Sequence, residues 1–379
     1  MKKRIIILAL STACACLGEA QENNIENRTV DLGTQTTTEF RKTQAVSTIY
    51  ANELEKNATP NPYNALYGLL PGLTTLQNTS WESEKARMNI RGRGSLNGDT
   101  PLFVVDGFVR PIEYINLSEI ESVSVLKDGA ATAIWGGRGA NGVVLITTKK
   151  GKAGKTNVTV SASSGIGKVT KMIDLMDTQQ YLEMRRQGFA NDGVTTYPDW
   201  AYDINGTWDQ NRNTDWQKEL LGGTAVITNM QASVSGGSDL TQYLLSGTYH
   251  TETTVLPGDF EYDKAAVHFS MNHRSEDKKF KLTFSTGYTA QDNLQPETDI
   301  SRTARNLAPN APALYDADGN LNFENSTFRN PLAALRAITT AKTNDLIANT
   351  VLSYQIAPSW ELKANLGLTD LKNAEQRLL

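Results

Sequence analysis

The sequence predicts a mostly-β protein: a small mixed α/β plug domain followed by an incomplete antiparallel transmembrane β-barrel. Three observations predict it. Residues 88–154 read as three short apolar strands joined by glycine turns. From residue 155 onward, apolar and polar residues alternate with period two, over segments of roughly the 9–11 residues that a tilted membrane strand needs. The connections between those segments are alternately short and long, as in a barrel with turns at one rim and loops at the other.

The chain opens on a basic stretch (Lys2, Lys3, Arg4), an apolar run over residues 5–10 continued by small, weakly polar residues 11–17, and small residues at Gly18 and Ala20. This is the three-part pattern of a secretory signal peptide over residues 1–20, too short to span as a helix. Both cysteines of the chain, Cys14 and Cys16, lie inside it, and the usual Leu of a lipoprotein signal is missing three positions before Cys14. The exported part then carries no disulfide, thiolate nucleophile or cysteine metal site. Residues 21–45 read as a disordered tail, polar and Asn- and Glu-rich at its start. It holds one apolar island, Thr29, Val30, Asp31, Leu32 and Gly33. That island is either a frayed first strand or an extended segment that adds to the sheet of a partner.

The plug spans residues 46–154. Val46 and Ile49 are followed by a short helix around Asn52-Glu53-Leu54, and Leu66, Leu69 and Leu70 form a small apolar face ended by Pro71-Gly72. Residues 73–77 and 87–91 are short strands. Leu102–Val105 is continuously apolar and closed by Asp106-Gly107, Ile120–Leu126 alternates with one break in phase, and residues 143–147 are again apolar. Between the last two, Ala130, Ala131 and Ala133 allow one helical turn before Gly136, Gly137, Gly139 and Gly142 forbid more.

The quoted stretches IRGRGSL, PLFVVDG, IESVSVLKD and AIWGGRGANGVVLITTKKG occur in order and close together over residues 90–151. They resemble the plug motifs of the SusC/RagA family of TonB-linked outer-membrane transporters. The likeness is strongest over residues 30–154 and extends through TDWQKELL (214–221) and VSGGS (234–238). It implies import of oligosaccharides or peptides across the outer membrane of a Bacteroidota-like Gram-negative bacterium, with TonB pulling on residues 29–33 as a TonB box. It also implies a SusD-like lipoprotein capping the outer mouth. The motif positions it marks are Arg91, Gly92, Arg93, Gly94, Asp106, Gly107, Asp128, Arg138, Gly139, Asn141 and Gly142. The family often has a further small domain before the TonB box, for which there is no room here.

The second unit, residues 155–379, shows about seven strands, starting where Val158, Val160 and Ala162 alternate with Asn157, Thr159 and Ser161. Tyr243, Tyr249, Tyr262, Tyr288, Tyr354 and Trp360 are placed near strand ends, as an aromatic girdle would be. A soluble β-sandwich also alternates, and the loop pattern is what favours the barrel over it. A plugged transporter barrel needs about 22 strands, so the sequence reads as the N-terminal part of a longer protein that cannot close or transport alone.

Composition narrows the function further. A net charge of −4 and a pI of 5.6 give no electrostatic case for nucleic acid. A mean hydropathy of −0.40 is too polar for a bundle of membrane helices but ordinary for a barrel facing outer-membrane lipid. RGRGSLNG and GGRGANG lack the Gly-Lys-Ser/Thr ending of a phosphate loop, so their glycines serve tight turns. Arg87, Arg91, Arg93 and Arg138 are expected to pair with carboxylates on plug or wall, with Asp106, Glu121 and Asp128 as intraplug partners. His250, His268 and His273 lack metal-ligand spacing, and residues 316–320 read as a surface turn rather than a calcium loop. No catalytic residue, metal or cofactor is expected. A capped helix should begin after Asp177-Thr178, and Tyr197, Trp200, Tyr202, Trp208 and Trp216 either stack on sugar rings or pack a large loop. The competing readings are a siderophore-type receptor of the same architecture and an exported soluble β-rich adhesin or carbohydrate-binding module.

Overall fold

The computed structural model describes residues 29–31, 36–38, 43–54, 56, 59, 61–77, 86–94 and 98–378. The expected signal peptide, Leu32 and Gly33 lie outside the described residues. The stretch read as a tail contributes two short strands, β1 (Thr29–Asp31) and β2 (Thr36–Thr38), paired antiparallel.

The plug then builds β3 (Val46–Tyr50), α1 (Ala51–Leu54), α2 (Pro62–Ala65), β4 (Leu73–Leu76), β5 (Arg87–Ile90), β6 (Leu102–Val105), β7 (Phe108–Val109), β8 (Ile120–Leu126), α3 (Gly129–Thr132) and β9 (Val143–Thr148). Its main sheet runs β3-β8-β9-β6-β7, with β6 and β9 parallel and the other neighbours antiparallel. Apolar side chains cover both faces. Phe103, Val105, Val144 and Ile146 pack with Tyr63, Leu66, Met88 and Ile112 on one side, while Val104, Val143 and Leu145 pack with Val30, Leu126 and Ala131 on the other. That is why β6 and β9 read as unbroken apolar runs. The alanine turn is α3, and it continues as tighter 3-10 turns across Ala133–Gly139, broken at Gly136, where φ is +57°.

The second unit is one antiparallel sheet of seven strands in sequence order: β10 (Gly154–Gly167), β11 (Ala225–Gly237), β12 (Thr241–Thr253), β13 (Glu261–Arg274), β14 (Phe280–Pro296), β15 (Ile338–Ala357) and β16 (Trp360–Leu378). The sheet is not closed, since β10 pairs only with β11 and β16 only with β15. Turns at 238–240, 275–279 and 358–359 alternate with connections at 168–224, 254–260 and 297–337. The strands outrun their apolar spans, and β15 reaches 20 residues.

Polarity is inverted relative to a soluble sandwich. Val158, Val160, Met230, Leu245, Val267 and Tyr288 stand on the outer face and are exposed. The inner face buries Ser246, His250, Lys264, His268, Thr289, Asp345 and Asn349. The apolar rows therefore point away from the plug, and among the described residues no second layer covers them. One girdle position departs from expectation: Tyr262 pairs with Glu252 and its ring meets that of His250, 6.0 Å between centroids, on the inner face. The even phase of β13 carries it inward, and proximity to a strand end does not decide which way a tyrosine points.

The long connections are not separate loops. α4 (Thr178–Asn191), α5 (Trp216–Leu221), α6 (Ser301–Asn306) and α7 (Pro331–Ala334) rise from them. Trp216, Leu220, Phe260, Ile300, Ala304, Leu314, Phe328 and Leu332 close one core drawn from all three connections. Asp177 and Gln180 form a reciprocal cap at the start of α4, satisfying backbone donors that the first turn leaves open. Trp208 and Trp216 are spent on this packing, whereas Trp200 stays exposed.

Candidate functional site: the plug–wall interface

The marked motif residues shape the plug's turns. Arg91 and Gly92 both have positive φ, +58° and +87°, where the chain leaves β5, with Arg93 and Gly94 exposed beyond them. Asp106 (+47°) and Gly107 (+88°) make the tight β6–β7 hairpin, whose twist needs two such residues. The Asp106 carboxylate accepts from Thr148 N at 3.0 Å and from Thr148 Oγ1 at 2.5 Å. Asp128 caps α3 by accepting from Ala131 N at 2.8 Å and also accepts from Ala45 N at 2.6 Å. These backbone donors, Ala45 first, hold its carboxyl below the usual range. Gly139 is buried, and Arg138 beside it is exposed. Asn141 Nδ2 donates to the carbonyls of Gly98 and Thr100 at 3.3 and 3.4 Å. Gly142, at φ +88°, sits so close to Ile90 that an added Cβ would lie 2.6 Å from its Cδ1. Thr29–Asp31 pairs with β2, and Val30 is fully buried in the plug core.

The expected arginine partners are different ones. Arg87 forms a bidentate pair with Asp99 (2.7 Å) and Arg93 lies 3.7 Å from the same carboxylate. Asp106 and Asp128 turn instead to nearby amides and a hydroxyl, which their turn positions bring closer than any guanidinium.

The groups that join plug to wall were not singled out by sequence. They concentrate on one strap, residues 110–119, between β7 and β8. Arg110 meets Asp345 of β15 at 2.7 Å, with both side chains less than a tenth exposed. Thr289 of β14 donates to the Tyr114 carbonyl at 3.2 Å, and Lys264 of β13 donates to the Ile115 carbonyl at 3.0 Å. Asn116 bonds Thr248 of β12 and caps the 3-10 turn Leu117–Glu119. Glu119 ends the strap 3.7 Å from His268 of β13. Burial pushes the Glu119 carboxyl up to about 7; Lys264 and Arg110 pull it back and Asp106 adds to the rise. Burial likewise raises the Tyr114 hydroxyl.

A cavity of about 30 Å³ lies in this cluster, lined by Asp106, Arg110, Glu119, His268 and Asp345 among others. It is large enough for a water. A second, open cleft of about 780 Å³, lined by both polar and apolar side chains, separates the plug from β10–β12. The bonds that the strap makes to the wall are ionic or run to carbonyls and hydroxyls. Among the described residues no group of three or more His, Cys, Asp or Glu could hold a metal. Asp316 spends its carboxylate on the amides of Asp318 and Asn320, as a surface turn does. The one available signal for the interface was phase: Lys264, His268 and Asp345 all occupy inward positions of alternating strands, where a charge needs a partner.

Residues 38–143 match the family model of the TonB-dependent receptor plug domain. The chain is 29% identical over 367 residues to TonB-dependent receptor P3 of Formosa agariphila, covering 93% of this chain and 34% of that protein. It is also 29% identical over 364 residues to TonB-dependent receptor SusC of Bacteroides thetaiotaomicron, covering 86% and 35%. The chain thus spans about a third of the length of these relatives. In fold it is similar to the RagAB peptide importer in its open-open state, with a TM-score of 0.76 and 22% identity over 92% of this chain and 43% of that one. These relatives are receptors and not enzymes.

Proposed function

From a chain that is SusC/RagA-like in sequence and in fold, we propose that it supplies the plug and seven wall strands of a TonB-dependent importer in the outer membrane of a Gram-negative bacterium. The substrate class is an oligosaccharide or peptide, and a SusD-like lipoprotein is the partner at the long-connection end. The observation that carries this reading is the polarity of the sheet: its apolar face is bare and its polar face grips a plug. A soluble adhesin would bury the first face, and lipid is the medium that accepts it.

Energy enters, in this proposal, through TonB adding a strand to Thr29–Gly33. Because Val30 is buried and β1 is paired with β2, that segment must leave the plug before it can be pulled. Uptake of labelled oligosaccharide and peptide mixtures by cells carrying the receptor and its lipoprotein tests the whole reading. Uptake should stop when tonB is deleted. Uptake that persists without TonB, or recovery of the chain in the soluble periplasm, overturns it.

A further inference from the structure

We propose that Glu119 makes docking of the 110–119 strap on the wall proton-dependent: the strap sits tightest with this carboxyl protonated and loosens when it ionises. The inference rests on the plug reading, but not on any transported substrate.

The geometry is that of a carboxyl only 12% exposed at the plug–wall seam, whose neighbouring cations each hold another partner as well. Arg110 is engaged by Asp345 at 2.7 Å. Lys264 donates to the Ile115 carbonyl at 3.0 Å. The His268 imidazole stands 3.7 Å away, beyond hydrogen-bond range. From the plug, Asp106 faces the site with a second negative charge, and Tyr114 lines the same cavity. Asp345 contributes a third carboxylate from β15. On the cleft side lie Lys149 and Lys150, which follow β9, and the Glu121 carboxylate. Glu119 lines both the small cavity and the open cleft, so a proton has a wet route to it.

Ionising such a group inside the interface costs free energy that ionising it in water does not. The sign follows from linkage. Docked, the carboxyl titrates at about 7, above its ordinary 4.5. The docked state therefore binds more protons between those values, and docking weakens as pH rises through that window and levels off above it. A strap that carries the plug's polar bonds to four strands, β12 to β15, is then poised near neutrality, where small changes in its surroundings shift plug retention.

Hydrogen exchange of the whole receptor that contains this chain, in detergent micelles, tests this, with peptide rates over 110–119 corrected for intrinsic pH dependence and α4 as internal reference. Protection of the strap is expected to fall about tenfold between about pH 6 and about pH 8. Glu119→Gln, which fixes the neutral form, should flatten that profile at the high-protection end. Glu121→Gln should retain the wild-type slope. A wild-type profile that is level or rises with pH overturns the proposal, and this arm needs no variant to fold. A Glu119→Gln profile that follows wild type overturns it equally. Either failure would leave TonB-dependent uptake untouched, so the two readings fail separately.

Discussion

Removing one member of the Arg110–Asp345 pair gives the sharpest quantitative test of how the plug is held. The charges meet at 2.7 Å with side chains 9% and 3% exposed. With charge centres roughly 4 Å apart and an effective dielectric near 20, the attraction is about 4 kcal/mol. Desolvation offsets much of it, so the pair adds little over an apolar replacement. Breaking it is different, because Asp345→Ala leaves a guanidinium only 9% exposed without its carboxylate. The expected loss is about 3–5 kcal/mol of docking stability. Arg110→Met should cost a similar amount, and the double variant should cost about 2–3 kcal/mol less than the two single losses added together. Urea titration in detergent micelles reads this, with thiol labelling of Leu117→Cys reporting strap release in a background where Cys14 and Cys16 are serine. If Asp345→Ala shifts release by less than about 1 kcal/mol, or the two single losses simply add, the pair is solvated and the strap is held by something else.

Three other substitutions probe the outer face of the sheet and the turns of the plug. Val267→Arg, at the middle of β13 on the outer face, should cost about 2–4 kcal/mol in phospholipid but stay within about 0.5 kcal/mol if that face meets water; urea titration in vesicles separates the two. Gly142→Ala should destabilise the plug by about 1–3 kcal/mol, because a Cβ there meets Ile90 Cδ1 at 2.6 Å and the Leu126 carbonyl at 3.1 Å on a backbone at φ +88°; a thermal melt unchanged from wild type would refute the contact. Asp128→Ala should cost about 1–2 kcal/mol through the lost cap. Because its carboxyl titrates low when folded, that contribution is present above the ordinary carboxylate range and fades as pH falls below about 4. A constant difference between wild type and variant down to about pH 2 would contradict it.

Much of the architecture was legible because its determinants are local. Seven strands were visible as seven period-two segments, and the same seven form the sheet. Glycine spacing marked the turns at Asp106-Gly107 and Gly142, where positive φ is required. The capped start of α4 was legible at Asp177-Thr178, and the structure adds Gln180 as the reciprocal partner. The interface was harder to read. Asp99 as the partner of Arg87 and Arg93 is not distinguished by sequence from Asp106, Glu121 or Asp128, since all four lie within one compact unit. The strap at 110–119 has no pattern of its own, and its roles come from strands more than 100 positions away.

By itself the sequence determined what repeats along a chain: which segments extend, which face of each is apolar, and where only glycine bends. Tertiary structure alone decided which charge meets which, that three long connections share one core, and that the strap at 110–119 binds four strands of the wall. The physical reason is range. Alternation and turn chemistry are settled between residues a few bonds apart, whereas desolvation and ion pairing depend on distances set only when the sheet has wrapped its polar face against the plug.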